Sequence, residues 1–203
     1  IGTSAKYIML KDHYRSRKEI IEFSNKYFYA SNLKVWTDYR QLKSTGNIEG
    51  IFWHDIKGKV IRSSRGSVYN LEEVKKVIEL LKYIIPEAIK KKATIGIVTP
   101  FREQENKIRD LMTRNIDINT IEELELKIDT AHGYQGDERD IMIFSPVVSQ
   151  GMLDKTKRFL INTQNLFNVA ITRPRAQLHI VGDRNACAKS KIDYLEYFVQ
   201  YVD

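Results

Sequence analysis

Thr130-Ala-His-Gly-Tyr-Gln-Gly-Asp-Glu-Arg-Asp140, followed without a break by Ile141-Met-Ile-Phe-Ser145, is the stretch whose reading decides the fold. Its first part is polar and punctuated by glycine, which lets backbone come close to a partner. Its second part is a short apolar run, as in strands buried on both faces. The same alternation recurs outward from it. Thr94-Ile-Gly-Ile-Val-Thr99 is another buried-type strand, with helical periodicity at 102–114 behind it. Phe167-Asn-Val-Ala-Ile-Thr-Arg-Pro-Arg175 closes an amphipathic segment on two arginines and leads into Gln177-Leu-His-Ile-Val-Gly182.

Further strands are expected at 50–55, 126–129 and 141–148, and helices at 17–29, 70–91, 161–172 and 186–201. Asn70 caps the long helix, which Pro86 would kink or split. Residues 57–67 and 150–158 are basic and turn-rich and read as exposed loops. Alternating strands and helices specify an α/β fold, a mainly parallel sheet with helices on both faces. Ligands in such sheets bind beyond the carboxyl ends of the strands. The loops at 99–102, 130–138 and 173–175 are expected to converge there, with arginine and glycine suited to phosphates.

At 203 residues, with 42% hydrophobic and 29% charged content, the chain suits one sizeable core. A net charge of +7 favours a polyanionic partner, or is carried as solvated lysine surface. One cysteine, Cys187, excludes an internal disulfide and a thiolate-rich metal site, and suits a reducing cytoplasmic location. No apolar run approaches the roughly 18 residues of a membrane span. Without an initial methionine, the chain is expected to be part of a longer polypeptide.

Four segments stand in order along nearly the whole chain: Asp12-His-Tyr-Arg-Ser-Arg-Lys-Glu-Ile20, Ile97-Val-Thr-Pro-Phe-Arg-Glu-Gln104, residues 130–140, and residues 165–175 with Val181-Gly-Asp183. They resemble motif IV, the Thr-Pro-aromatic…Gln segment, motif V and motif VI of the second RecA-like domain of superfamily 1 helicases. The nearest type is 1B, which includes the nonsense-mediated-decay helicase. The resemblance implies a RecA-like three-layer sandwich, with residues 1–203 forming a single C-terminal RecA-like domain and the first RecA-like domain absent.

By the same resemblance, Arg15 and Arg173 are the catalytic arginines directed at the γ-phosphate of ATP, with Arg17 and Arg175 as near competitors. Tyr14 offers a flat face to base or ribose, or is an ordinary half-buried tyrosine. Gly136 and Glu138 resemble nucleotide contacts, the reading favoured for Glu138 over an ion pair with Arg139 or a lysine. Gln135 lies between the presumed sites and goes with the nucleotide contacts. Thr99, Pro100, Arg102, Thr130 and His132 are the candidates for single-stranded nucleic acid, DNA being slightly favoured over RNA. Thr99-Pro100 would also serve as a helix cap.

His13, His54 and His179 are scattered, so no metal site is expected. Trp36 and Trp53 suit base stacking or the core, and Asp183, followed by Arg184, is no magnesium ligand. A G-x-x-x-x-G-K-[ST] loop is missing, since Gly58-Lys59 lacks the upstream Gly and the following Ser or Thr. So is an acidic pair at a strand end. ATP and Mg2+ are therefore expected to be held mainly by the N-terminal RecA-like domain of the same protein, and this chain alone to hydrolyse little ATP. A non-catalytic nucleic-acid or protein clamp is the alternative, and a nuclease a third. The motor interpretation requires Arg15 and Arg173 to meet at one rim beside Glu138.

Overall fold

The apolar runs form the middle of one sheet. A computed structural model describes residues 11–134 and 136–202. Strands β3 (Gly50–Asp55), β6 (Ile95–Thr99), β7 (Lys127–Thr130), β8 (Arg139–Phe144) and β9 (Pro174–Gly182) lie in the order β3-β9-β8-β6-β7. Every pairing among them is parallel. Because successive side chains in a strand point to opposite faces, each central strand feeds two cores. Ile95, Ile97, Ile141, Ile143 and Val181 face helices α2 (Leu71–Lys91) and α3 (Arg102–Asn115), with the short α4 (Ile118–Glu123) beside them. Val98, Met142, Phe144, Leu178 and Ile180 face α1 (Lys18–Phe28), α5 (Asp154–Asn162), α6 (Gln164–Ile171), α7 (Arg184–Ala188) and α8 (Asp193–Tyr201). Phe23, Phe167 and Phe198 meet edge-on at the centre of this second core. The α/β three-layer sandwich read from the sequence is the architecture found.

Several local expectations differ from what forms. Helix α2 is not split at Pro86, which is exposed, as is Lys82 one turn earlier, so water can satisfy the carbonyl that Pro86 leaves without a donor. Residues 57–69 are a hairpin rather than a loop: β4 (Ile61–Arg62) pairs antiparallel with β5 (Val68–Tyr69), and Lys59 bridges Gln150. The basic segment 150–158 contains the start of α5, which buries Thr156 and Leu160. The last helix is two, broken where Lys191 takes a left-handed φ of 56°. Two small strands, β1 (Asp12–His13) and β2 (Lys34–Val35), pair in parallel outside the main sheet, and a 3-10 turn, Tyr39–Gln41, follows.

One connection positions the site. Parallel strands are usually joined by a crossover of a dozen or more residues, commonly a helix. Here the eight residues 131–138 carry the chain from the carboxyl end of β7 past β6 to the amino end of β8. Tyr134 makes this possible. Its fully buried ring inserts against the sheet, its hydroxyl donates to the Lys127 carbonyl and accepts the Ile97 N–H at 3.2 Å. Gly96 makes room, since a Cβ there would stand 2.8 Å from the Tyr134 oxygen and 2.3 Å from the Met142 sulfur. Tyr134→Phe removes the hydroxyl that both backbone groups bond and should cost about 1–3 kcal/mol of stability. Urea unfolding measures it, and an unchanged midpoint would remove Tyr134 from this role.

Candidate functional site

The crossover separates what the sequence suggested would converge. Thr130 ends β7 at the carboxyl edge of the sheet, opposite Thr99 in register. Glu138 and the 173–175 segment lie at the amino ends of β8 and β9, where Arg139 pairs with Pro174. The loops therefore form two groups, one at each edge, and the expected convergence at the carboxyl edge is corrected. The cause is topological: 131–138 descends across the sheet, and Arg173 precedes rather than follows its strand.

At the amino edge, Arg15 and Glu138 form an ion pair, with both side chains partly exposed. Arg175 stands 4.0 Å from the other Glu138 oxygen and 3.7 Å from Asp140. Asp140 is buried and held by the Thr94 N–H at 2.9 Å and the Thr94 hydroxyl at 3.1 Å. Arg173 has no carboxylate within 4.0 Å among the described residues. It donates to the Val169 carbonyl at 3.2 Å and to the Thr172 hydroxyl at 3.3 Å. Burial and then the charge of Arg15 hold its guanidinium below the usual arginine range, while Tyr29 and Glu138 oppose the shift. Arg15 and Arg173 thus lie near enough for each to feel the other's charge, with Glu138 paired to Arg15 and acting on Arg173 as well.

His13 belongs to the same cluster. Burial, then Arg15 and Arg173, push its imidazole down to about 4, so it is neutral near pH 7. Its Nε2 accepts the Ser16 N–H at 2.9 Å and fixes the turn that carries Arg15. Adjacency to Arg15 in the sequence was the only available signal. Arg17, a competitor for the Arg15 role, is occupied elsewhere: it pairs with Glu49, reaches Glu19 at 3.2 Å and lies 4.3 Å over the Tyr39 ring. Glu138 pairs with Arg15 and not with Arg139, whose partner is Asp137 at 2.6 Å. Tyr14 is 67% exposed, a free flat face beside Arg15. Gly136 has a φ of +85° with nothing within 4 Å of an added Cβ, so a left-handed turn, and no close approach within the chain, calls for glycine. Gln135 lies outside the described residues.

At the carboxyl edge, Thr99 and Thr130 are buried, and the Thr99 hydroxyl lies 3.5 Å from the Phe101 N–H. Phe101, with no side-chain cap, stands at the start of α3. Pro100 is partly exposed, and His132 and Arg102 are exposed. Arg102 pairs with Glu105 at 2.7 Å, a nearly buried carboxylate that also holds Arg109 at 2.9 Å. Elsewhere, His54 and His179 are not scattered: their rings lie within 3.0 Å nitrogen to nitrogen on adjacent strands β3 and β9. Burial, then His54, pushes His179 down to about 3. Among the described residues no three His, Cys, Asp or Glu side chains are grouped to hold a metal. Asp183 caps α7 by accepting the Ala186 N–H at 2.8 Å. Trp53 packs in the core and donates to the Gly182 carbonyl at 2.9 Å, while Trp36 is 58% exposed.

A parallel sheet between two helical layers is an α/β, RecA-like architecture. A family profile described as "AAA domain" matches residues 2–185, and the chain belongs to that family, as a C-terminal-side domain of a superfamily 1 helicase nearest type 1B. The chain is 30% identical over 202 residues to the helicase named mov-10-B.1 of Danio rerio, covering 90% of this chain and 20% of that protein. It is 28% identical over 204 residues to RNA helicase Mov10l1 of Homo sapiens, covering 91% and 16%. It is 27% identical over 209 residues to the ATP-dependent helicase MJ0104 of Methanocaldococcus jannaschii, covering 91% and 28%. The chain spans between 16% and 28% of the length of these relatives. Among the described residues, no helix is long and apolar enough to cross a membrane.

Proposed function

We propose that this chain is the second motor domain of an ATP-dependent nucleic-acid helicase or translocase. Its amino edge closes on a triphosphate carried by a first RecA-like domain of the same protein, and its carboxyl edge grips a single strand. One observation carries this: the guanidiniums of Arg15, Arg173 and Arg175 gather at the amino edge with the carboxylates of Glu138 and Asp140, and Arg173 has neither of those two within ion-pair distance. A phosphate is the partner such a site is short of. Arg15 is held by Glu138 until phosphate oxygens compete for it, and Glu138 is then available to ribose hydroxyls. Tyr14 stands ready for the base or ribose, and Gln135 and Gly136 complete the nucleotide contacts.

ATP supplies the phosphoryl group, and Mg2+, held by residues of the first domain, neutralises its charge. The contribution of this chain is positive charge brought to the transferred group, so alone it turns over little ATP. Arg102 and His132, with the backbone N–H groups around Thr99 and Thr130, hold phosphates of the strand, and Pro100 lies against it as an apolar contact. Composition leans to DNA, and the single cysteine to the cytoplasm.

The test is ATP hydrolysis by the full-length protein with and without DNA or RNA strands, and unwinding of both duplexes with either overhang. Strand-stimulated hydrolysis is expected, and strand affinity should fall steeply with salt, since phosphate contacts dominate. Strand binding without hydrolysis would favour the non-catalytic clamp, and absence of both would end the proposal.

A further inference from the structure

The carboxyl edge carries a cavity of whose lining the contacts above use only Pro100 and Arg102. It encloses about 330 Å³, within the range of built small-molecule sites. The two basic segments that read as solvated loops are its walls: the β4–β5 hairpin brings Arg62, and α5 brings Leu153, Lys155 and Phe159. The turn after β6 supplies Phe101 at the floor and Arg102 at the lip. Phe101 and Phe159 have ring centroids 5.5 Å apart, the first buried and the second 38% exposed. Leu153 is 48% exposed beside them. No carboxylate lines the cavity among the described residues. Arg62 and Lys155 have no carboxylate within 4.0 Å among those residues, and Arg102 shares Glu105 with Arg109.

An exposed aromatic and apolar surface ringed by under-neutralised cations matches one chemistry, an aromatic ring attached to a phosphate chain. Base stacking on a protein aromatic is tolerant of sequence, and flanking phosphates supply the charge. Resting on the assignment of the strand to this edge, we propose that the cavity receives one unstacked base of the bound single strand. The base lies against Phe159, with Phe101 and Leu153 behind it, and its neighbouring phosphates lie on Arg62, Arg102 and Lys155. A base withdrawn from the stack gives the domain a hold on the strand at a defined register, which backbone contacts alone do not provide.

The full-length protein is titrated with DNA and RNA oligonucleotides carrying 2-aminopurine at one position at a time. At one register position the fluorescence should rise above that of its neighbours, as the base leaves its stack. Phe159→Ala should abolish that signal and weaken strand binding about tenfold with the salt slope retained. Phe159→Trp should keep the signal, which separates lost stacking from lost folding. Arg62→Glu with Lys155→Glu should lower the salt slope by about 1.4, two single-strand phosphate contacts. If the wild type binds strands but no position stands out, or Phe159→Ala keeps the signal, the cavity holds no base and only this inference falls. If the wild type binds no strand, the assignment beneath it falls as well. Competition by an acidic aromatic peptide that lifts no base signal from the strand would give the cavity to a protein partner and overturn the proposal.

Discussion

Arg173→Ala should lower strand-stimulated ATP turnover of the full-length protein by roughly 10³-fold or more while leaving ATP affinity nearly unchanged. The asymmetry follows from what Arg173 holds. Its hydrogen bonds are to the Val169 carbonyl and the Thr172 hydroxyl of its own helix end, and among the described residues no carboxylate lies within 4.0 Å of it. Removing it leaves no buried charge stranded, so the thermal midpoint should move little. It does remove a guanidinium that is partly desolvated and crowded by Arg15, a state that becomes favourable only when negative charge arrives. Arg173→Lys should recover only part of the rate, because an ammonium lacks the planar fork. Comparing kcat and the nucleotide dissociation constant across the three proteins checks this. Full turnover in Arg173→Ala would take Arg173 out of the mechanism.

The largest stability effect is expected at Glu73, which is wholly buried in the first turn of α2. It accepts from the Ser145 hydroxyl at 2.6 Å, the Val147 N–H at 3.0 Å and the Asn70 amide at 3.1 Å. Gln104 extends the network, donating to Ser145 at 2.8 Å and accepting the Asn70 N–H at 2.9 Å. Val147 sits in a left-handed backbone conformation, φ 56°, which a β-branched residue adopts only when its surroundings impose it. Glu73→Ala should cost about 3–5 kcal/mol, since each stranded buried donor costs about 1–3 kcal/mol.

Burial raises the Glu73 carboxyl to about 8 against the pull of those three donors, and Asp183 adds to the rise. Between the ordinary carboxylate range and about pH 8 the folded chain holds a proton that the unfolded chain has lost. The Glu73 contribution to stability is therefore fully present at low pH and fades as pH rises through about 8. Urea unfolding from pH 5 to pH 9 should show wild type losing stability relative to Glu73→Gln over that interval. Parallel curves would place the Glu73 titration elsewhere.

What the sequence disclosed divides along physical lines. Strands β6 and β8 and helices α2 and α3 rest on local signals, namely continuous apolar runs, a 3.6-residue period and the Asn70 cap. The hairpin of β4 and β5 and helix α5 rest on tertiary contacts. Residues 57–67 are mostly polar, and α5 buries only Thr156 and Leu160, so neither leaves a strong period in the sequence. Strand β9 begins at Pro174, earlier than its apolar run suggests, because proline is tolerated at the first position of a strand. Arg15 and Arg173 were legible through motif resemblance alone. Their meeting depends on Glu138 reaching the amino end of β8, which no local pattern encodes. The His54–His179 contact was invisible for the same reason, being made across two strands 125 residues apart.

The crossover of residues 131–138 has a mechanical consequence. Eight residues offer about sixteen soft torsions, and several are already committed by the Tyr134 anchor and by Gly133, where an added Cβ would strike the Asp129 carboxylate at 2.0 Å. The Tyr134 hydroxyl, bonded to β6 and β7 at once, is the point at which the crossover is pinned between the two margins of the sheet.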